Sequence, residues 1–253
     1  MKKIRILLCA LVLVTLMVFI NFMVNSDPSN YTTSITSYTI NGSYVEYPCI
    51  NGLKDHKKQE DINKLLEEQV LHGAKLYTGE TFVDFSNPNL EYKFKSGVGL
   101  ANKYIASFWY SFNQYEYSNN RIIGETYRFF CITIDMITGK EIKLPDFMMI
   151  DERLINSNDG TLIETDYSSE AIPNFHNFRD AFEVYTKEEE RDNHHSFSQQ
   201  EIIDILKDTD GETTWYIDKE KNIVFYFLEN SVRIPYAQIA DIIYPKYLKA
   251  LKQ

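Results

Sequence analysis

The stretch that decides the fold is residues 104–135, which read YIASFWYSFNQYEYSNNRIIGETYRFFCITID. Two segments, residues 104–117 and 125–135, show alternation of side-chain character from one residue to the next. Both are rich in aromatic and β-branched side chains, and this pattern is typical of strands. Residues 118–121 lie between them and supply turn formers. The stretch therefore predicts a long antiparallel hairpin, in which Phe129 and Cys131 face the side opposite to Phe130.

Further hairpins are predicted on both sides of this stretch. Residues 37–47 read SYTINGSYVEY, and Asn41-Gly42 at the centre is the dipeptide that a type I′ turn prefers. We expect Pro48 to end the second strand. Downstream, residues 136–143 add a glycine turn and a short strand. Residues 213–217 and 223–228 form another hairpin, and 231–234 form a last short strand.

Helical periodicity appears in the segments between the strands. Residues 57–72 place Ile62, Leu66 and Val70 on one face, with Gly73 as the expected C-cap. Residues 178–191 are helical in pattern, and Ser198 with Glu201 forms a capping box before a third helix. Pro235 is expected to open a terminal helix whose inward residues are Ile239, Ile242 and Ile243, with a kink at Pro245. The fold class predicted is α+β: a mainly antiparallel sheet built from hairpins, with three to four packed helices.

The N-terminus predicts a membrane segment. Residues 6–24 form a 19-residue apolar run directly after Lys2, Lys3 and Arg5, which is long enough to cross a bilayer as a helix. We divide the chain into an anchor or signal segment at 1–26, a linker at 27–34 and an ectodomain at 35–253, with two lobes dividing near 136–150. The basic flank predicts a single-pass membrane protein with its N-terminus in the cytoplasm and its C-terminal domain outside. If the segment is cleaved, the protein is secreted.

The charge balance limits the class of partner. The whole chain carries a net charge of −10, and the part beyond the apolar run has 23 basic and 36 acidic residues, or −13. Such a surface repels nucleic acid and attracts cationic proteins. The charge therefore favours a cationic protein as partner and predicts no nucleic-acid binding.

Two cysteines lie in strand-like runs of the exported part. Cys49 and Cys131 allow either a disulfide, which an extracytoplasmic location permits, or two buried free thiols. The sequence alone leaves both alternatives open.

Catalytic motifs are missing from the sequence. It holds no G-x-S-x-G, no P-loop, no G-x-G-x-x-G and no H-E-x-x-H, so it predicts no cofactor and no metal site. The least ordinary carboxylate pair is Asp135 and Asp146, which supports one alternative function, a cell-wall carbohydrate hydrolase or transferase. The favoured function is a non-catalytic binding module, with Trp109, Tyr115 and Tyr117 as a stacking surface for a sugar or a protein.

Three stretches resemble one family of exported bacterial domains. They are residues 47–53 (YPCINGL) with 59–66 (QEDINKLL), residues 132–147 (ITIDMITGKEIKLPDF) and residues 216–239 (YIDKEKNIVFYFLENSVRIPYAQI). Their order and spacing over residues 35–250 are similar to the RsiV-like ectodomain family, which includes a lysozyme-sensing anti-sigma factor. The resemblance implies a mixed α/β sensor or binding domain at the cell envelope, whose partner would be a cationic protein such as lysozyme, or peptidoglycan. The anti-sigma relative carries a cytoplasmic domain before its membrane helix, whereas only five residues precede residue 6 here.

Overall fold

The fold is of the α+β class, with two mainly antiparallel sheets and short helices around them. The computed structural model describes residues 31–78, 83, 85–119, 121–157, 178–180, 182, 197–208, 214–227 and 230–253. The predicted anchor at 1–26 lies outside these residues, as does most of the predicted helix at 178–191. Among the residues that are described, no helix is both long enough and apolar enough to span a membrane.

The first two strands form the hairpin that Asn41-Gly42 predicted. They are β1 (Thr32–Ile40) and β2 (Ser43–Asn51), and the left-handed φ values of Asn41 (48°) and Gly42 (87°) are those of a type I′ turn. β1 begins at Thr32, so residues 32–34 are strand and not linker. Pro48 does not end β2. In a two-residue hairpin it falls at a non-hydrogen-bonded pair opposite Ile35, where no N–H is needed.

The large sheet has the order β1-β2-β3-β4-β5-β6. Its centre is the predicted long hairpin, β4 (Ile105–Ser118) paired with β5 (Arg121–Asp135), and the short β6 (Lys140–Glu141) follows. The sequence prediction missed β3 (Leu90–Ala101), which pairs antiparallel with β4 and parallel with β2. β3 separates the first hairpin from the second.

One face of the large sheet is covered by α1 (His56–Thr78). Ile62, Leu66 and Val70 of α1 pack on the even-numbered side chains of β4 and β5, including Phe108 and Phe130. The Tyr110 hydroxyl, buried in this layer, donates a hydrogen bond of 3.0 Å to the Leu66 carbonyl. The predicted C-cap at Gly73 is wrong, because the helix continues through it to Thr78.

The other sheet has the order β7-β8-β9 and lies on the opposite face of the large sheet. Its strands, β7 (Thr214–Ile217), β8 (Asn222–Phe227) and β9 (Asn230–Pro235), are the predicted C-terminal ones. β7 is fixed to the large sheet by the buried Ser107 hydroxyl, which accepts from the Ile217 N–H at 2.9 Å and contacts Thr133 Oγ1 at 2.8 Å. A Cβ on Gly99 of β3 would lie 2.1 Å from the Ile217 carbonyl oxygen, so the close approach of β7 to β3 requires glycine at this position.

The far face of the small sheet is covered by short helices. They are α2 (Leu144–Phe147), α3 (Glu152–Ile155), α4 (Gln199–Lys207) and α5 (Pro245–Leu251), together with a helical turn at Phe178. The described part thus has more helices than the three to four predicted. The capping box of Ser198 with Glu201 is confirmed at the start of α4.

The predicted terminal helix is divided into two pieces. Tyr236–Gln238 is a single 3-10 turn, and Pro245 begins α5 instead of kinking a longer helix. Proline suits the first turn of a helix because its missing N–H has no partner there in any case. A second hydrophobic core lies between the small sheet and the short helices that cover it. As predicted, this second core buries Ile239, Ile242 and Ile243. The predicted division into two lobes near 136–150 stays a prediction.

Candidate functional site

An open cleft of about 560 Å³ lies between the two sheets. The large sheet contributes one basic, two small polar and three aromatic side chains: Lys95, Ser111, Asn113, Trp109, Tyr127 and Phe129. The small sheet contributes Tyr216, Tyr226, Ser231 and Arg233. All six of the large-sheet residues are odd-numbered and lie on the face opposite to α1, because β-strands alternate their side chains.

The floor of the cleft is the Trp109 indole. Trp109 pairs with Gly97 on β3 and with Cys131 on β5. A Cβ built on Gly97 would lie 2.3 Å from the indole ring, so the ring occupies the space of the missing side chain. The ring also stacks on Phe129, with centroids 5.8 Å apart and planes at 16°. These two neighbours restrict the orientation of the indole, which lines the cleft.

Aromatic side chains continue from the floor up the small-sheet wall. The Phe129 ring stacks on Tyr226 with centroids 3.9 Å apart and lies 6.0 Å from Tyr216. Burial raises the pKa of Tyr216 to about 12, and the neighbouring Arg233, which hydrogen-bonds to it, acts in the opposite direction. Tyr216 therefore presents a neutral hydroxyl at physiological pH. The wall combines flat apolar surface with polar groups at its edges, as ligand sites commonly do.

The charge inside the cleft is the reverse of the charge of the chain. Lys95 and Arg233 line it, and none of the described lining residues is acidic. Besides the tyrosine hydroxyls, its neutral polar groups are two serines and Asn113, whose amide donates a 3.3 Å hydrogen bond to Glu125. A ligand in the cleft meets positive charge although the protein as a whole is strongly negative.

The predicted residues Tyr115 and Tyr117 lie on the same face as Trp109 but beyond the cleft. Glu91 connects them: its carboxylate pairs with Lys93 at 3.1 Å and accepts a 2.8 Å hydrogen bond from the Tyr117 hydroxyl. Lys93 in turn lies 4.8 Å from the centroid of the Tyr115 ring. The Tyr117 hydrogen bond is the main reason why the pKa of Glu91 is lowered, and Lys93 contributes further. Of the three predicted residues, only Trp109 lines the cleft.

Cys49 and Cys131 are both free thiols. They lie on β2 and β5, which are separated by β3 and β4, so about 14 Å of sheet lies between the two strands. A disulfide requires Cα atoms within about 7 Å, so the disulfide alternative is wrong. Burial strongly raises the pKa of the Cys131 thiol, which makes it unreactive.

The two carboxylates of the alternative enzyme hypothesis lie outside the cleft. Asp135 Oδ1 accepts hydrogen bonds from the N–H groups of Ile137 (2.8 Å) and Thr138 (3.1 Å), so it caps the turn after β5. Asp146 is exposed on α2. Over the described ranges, no group of three or more histidine, cysteine, aspartate or glutamate residues is placed to hold a metal ion.

Most of the cleft was not predicted from the sequence. Lys95 lies on the strand that was missed, and Tyr216, Tyr226 and Arg233 belong to a sheet that reaches Trp109 only through tertiary packing. One signal was present: Gly97-Val98-Gly99 is too short for a nucleotide motif, but paired glycines in a strand indicate close approach by another group. Gly97 admits the indole and Gly99 admits β7.

Comparison with known proteins gives structural neighbours only. No protein-family model and no curated protein sequence matches the chain. It is similar to a solved DUF3298 family protein from Bacteroides fragilis, with 12% identity, a TM-score of 0.47 and coverage of 90% of this chain and 99% of that one. A second DUF3298 family protein, from Pseudomonas aeruginosa, shows 12% identity, a TM-score of 0.45 and coverage of 88% and 97%. The RsiV-like resemblance stays a prediction.

Proposed function

We propose that this protein is a non-catalytic binding module of the bacterial cell envelope, and that its ligand is a cell-wall glycan held in the cleft between the two sheets. The observation that carries the proposal is the Trp109 indole, which is fixed over Gly97 and stacks on Phe129, and Phe129 in turn stacks on Tyr226. A pyranose ring has a face of C–H groups that packs on an aromatic plane and a rim of hydroxyls that need hydrogen-bond partners. The cleft offers both kinds of surface.

The position of the polar groups supports this ligand class. Ser111, Ser231 and the Asn113 amide surround the aromatic floor and can donate to or accept from sugar hydroxyls. The neutral Tyr216 hydroxyl adds a further group on the wall. A few polar groups among aromatic side chains fix the orientation of a ligand, while the aromatic surface supplies most of the affinity.

The cleft suits a wall glycan better than a cationic protein such as lysozyme. Lys95 and Arg233 would repel a cationic side chain from the cleft, whereas they are compatible with neutral or anionic sugars. The negative charge of the chain keeps the protein soluble and acts on partners at longer range. The predicted extracytoplasmic location gives the module access to the wall.

The proposal is tested with chitotetraose, a neutral β-1,4-linked oligosaccharide, and with purified peptidoglycan. Trp215, the other tryptophan, is buried against Phe147 at 4.9 Å between centroids. In a Trp215→Phe background, the fluorescence of the full chain therefore reports Trp109 alone. We expect chitotetraose to change this emission, and Trp109→Ala to weaken binding about tenfold or more in calorimetry.

The matched control is Tyr38→Ala. Tyr38 is an aromatic residue of β1 with 37% of its surface exposed, and it contacts Tyr47 instead of the cleft. It should leave binding unchanged. Binding that survives Trp109→Ala in a folded variant would place the ligand elsewhere. Release of soluble sugars from peptidoglycan, abolished by Asp135→Asn, would replace the binding module with the hydrolase alternative.

A further inference from the structure

Two lysines on the same face of β3 have different surroundings. Lys93 and Lys95 are both exposed and lie two residues apart. Lys93 is neutralised by Glu91 at 3.1 Å and lies over the Tyr115 ring. Lys95 forms no ion pair or hydrogen bond with any part of the chain that the structure describes, and it lines the cleft. Only one of the two ammonium groups is therefore available to a ligand.

The carboxylate on the neighbouring strand forms no ion pair with Lys95. Both oxygens of Glu46 on β2 have other partners: Oε1 accepts from the Ser96 N–H at 2.9 Å, and Oε2 accepts from the Tyr44 hydroxyl at 3.0 Å. Arg233 adds a second positive charge on the opposite wall of the cleft. The cleft that holds the aromatic floor is thus lined by two cations that come from different sheets.

We infer that the cleft selects an acidic glycan, and that Lys95 is the residue that recognises its carboxylate. This inference rests on the proposed function and specifies the ligand class. A sugar stacked on Trp109 would carry its substituents to the edges of the ring, where the Lys95 ammonium can reach an acidic one. A charge-assisted hydrogen bond from an ammonium group to a carboxylate is stronger than one to a neutral hydroxyl. Neutral sugars would stack on the same Trp109 floor but would gain no affinity from the charge of Lys95.

The test compares two tetrasaccharides that differ in one feature. Chitotetraose is neutral, and the peptide-free tetrasaccharide of alternating N-acetylglucosamine and N-acetylmuramic acid has the same linkage but carries lactyl carboxylates. Calorimetry on the full chain should give about fivefold tighter binding of the acidic sugar, the effect of one solvent-accessible ion pair. The preference should decrease in 0.5 M salt because such a pair is screened.

The decisive variants are Lys95→Met and Lys93→Met. Methionine keeps an apolar stem and removes the charge, so loss of packing is not confused with loss of charge. Lys95→Met should weaken binding of the acidic sugar about fivefold more than binding of chitotetraose, and so remove the preference. Lys93→Met should keep the preference. Equal binding of the two sugars by the unaltered protein, or equal loss in both lysine variants, would overturn the inference while leaving the glycan site intact. Failure of both sugars to bind would overturn the proposed function and the inference together.

Discussion

At the scale of single residues, the floor of the cleft depends on glycine at position 97. Gly97 has no Cβ, and the Trp109 indole lies in the space that one would fill. Any other residue at this position would lift the ring from the sheet or turn it away from Phe129. The backbone at Gly97 does not need the left-handed region, so its glycine is required by the neighbouring ring and not by a turn.

The residue-scale prediction is that Gly97→Ala displaces the Trp109 indole from the floor of the cleft without unfolding the protein. The added methyl group would meet the indole at 2.3 Å, so Trp109 must move. We expect a shift in Trp109 emission in the Trp215→Phe background and about tenfold weaker chitotetraose binding. Gly124→Ala on β5 is the control, because its Cβ would meet only the Glu116 side chain, with the carboxylate oxygen at 3.3 Å and Cβ at 3.6 Å. Unchanged binding by Gly97→Ala would show that the orientation of the ring is not needed.

At the scale of elements, the small sheet is the wall of the cleft and also the base of the second core. Tyr216, Val224 and Arg233 form one row across β7, β8 and β9 and face the large sheet. The next row, Trp215, Phe225 and Val232, faces the helices. The position of the wall is therefore determined by packing on both of its faces, and damage to the second core should also reach the cleft.

The element-scale prediction concerns the segment after β9. Ile239 is only 2% exposed and packs in the second core between the 3-10 turn and α5. Ile239→Ala should lower the free energy of unfolding by about 2–4 kcal/mol, because a buried cavity is left. Gln238→Ala, at an exposed neighbour, should change it by less than about 0.5 kcal/mol. Urea denaturation measures both, and equal midpoints for the two variants would mean that this segment does not stabilise the fold.

At the scale of the whole molecule, the layers are α1, the large sheet, the small sheet and the C-terminal helices. The cleft opens where the small sheet covers only part of the large one, so positive and aromatic groups remain accessible on a chain of net charge −10. Such a molecule can remain soluble through its acidic surface and still bind an anionic ligand at one place.

The whole-molecule prediction concerns location. If residues 6–24 form an uncleaved anchor, the full chain should sediment with membranes after an alkaline carbonate wash and be released only by detergent. Protease added to intact cells from which the wall has been removed should digest the domain. Replacing Leu13 and Leu16 by lysine should prevent insertion, since each charge at the centre of a span costs about 2.5–3.5 kcal/mol. A mature chain beginning near Asp27 would instead indicate cleavage and secretion.

The sequence by itself determined the local elements of this protein. The alternation of β4 and β5, the positive φ values of Asn41-Gly42 and the capping box of Ser198 depend on neighbours within a few residues, so they can be predicted from the chain. Tertiary context overrode three local signals. Pro48 fell at a pair that needs no N–H, Gly73 remained inside α1, and Pro245 began a helix.

The site was determined mainly by the tertiary structure. Trp109 was predicted because its own strand is aromatic, but Lys95 and Arg233 come from strands far apart in the chain. Their meeting depends on the order of strands in the large sheet and on the way Ser107 and Gly99 seat β7 against it. Sequence periodicity predicts on which face of its own strand a side chain lies. It does not predict which other strand will pack against that face. Packing decides that, because burying apolar surface on both sides of the small sheet fixes its position over Trp109.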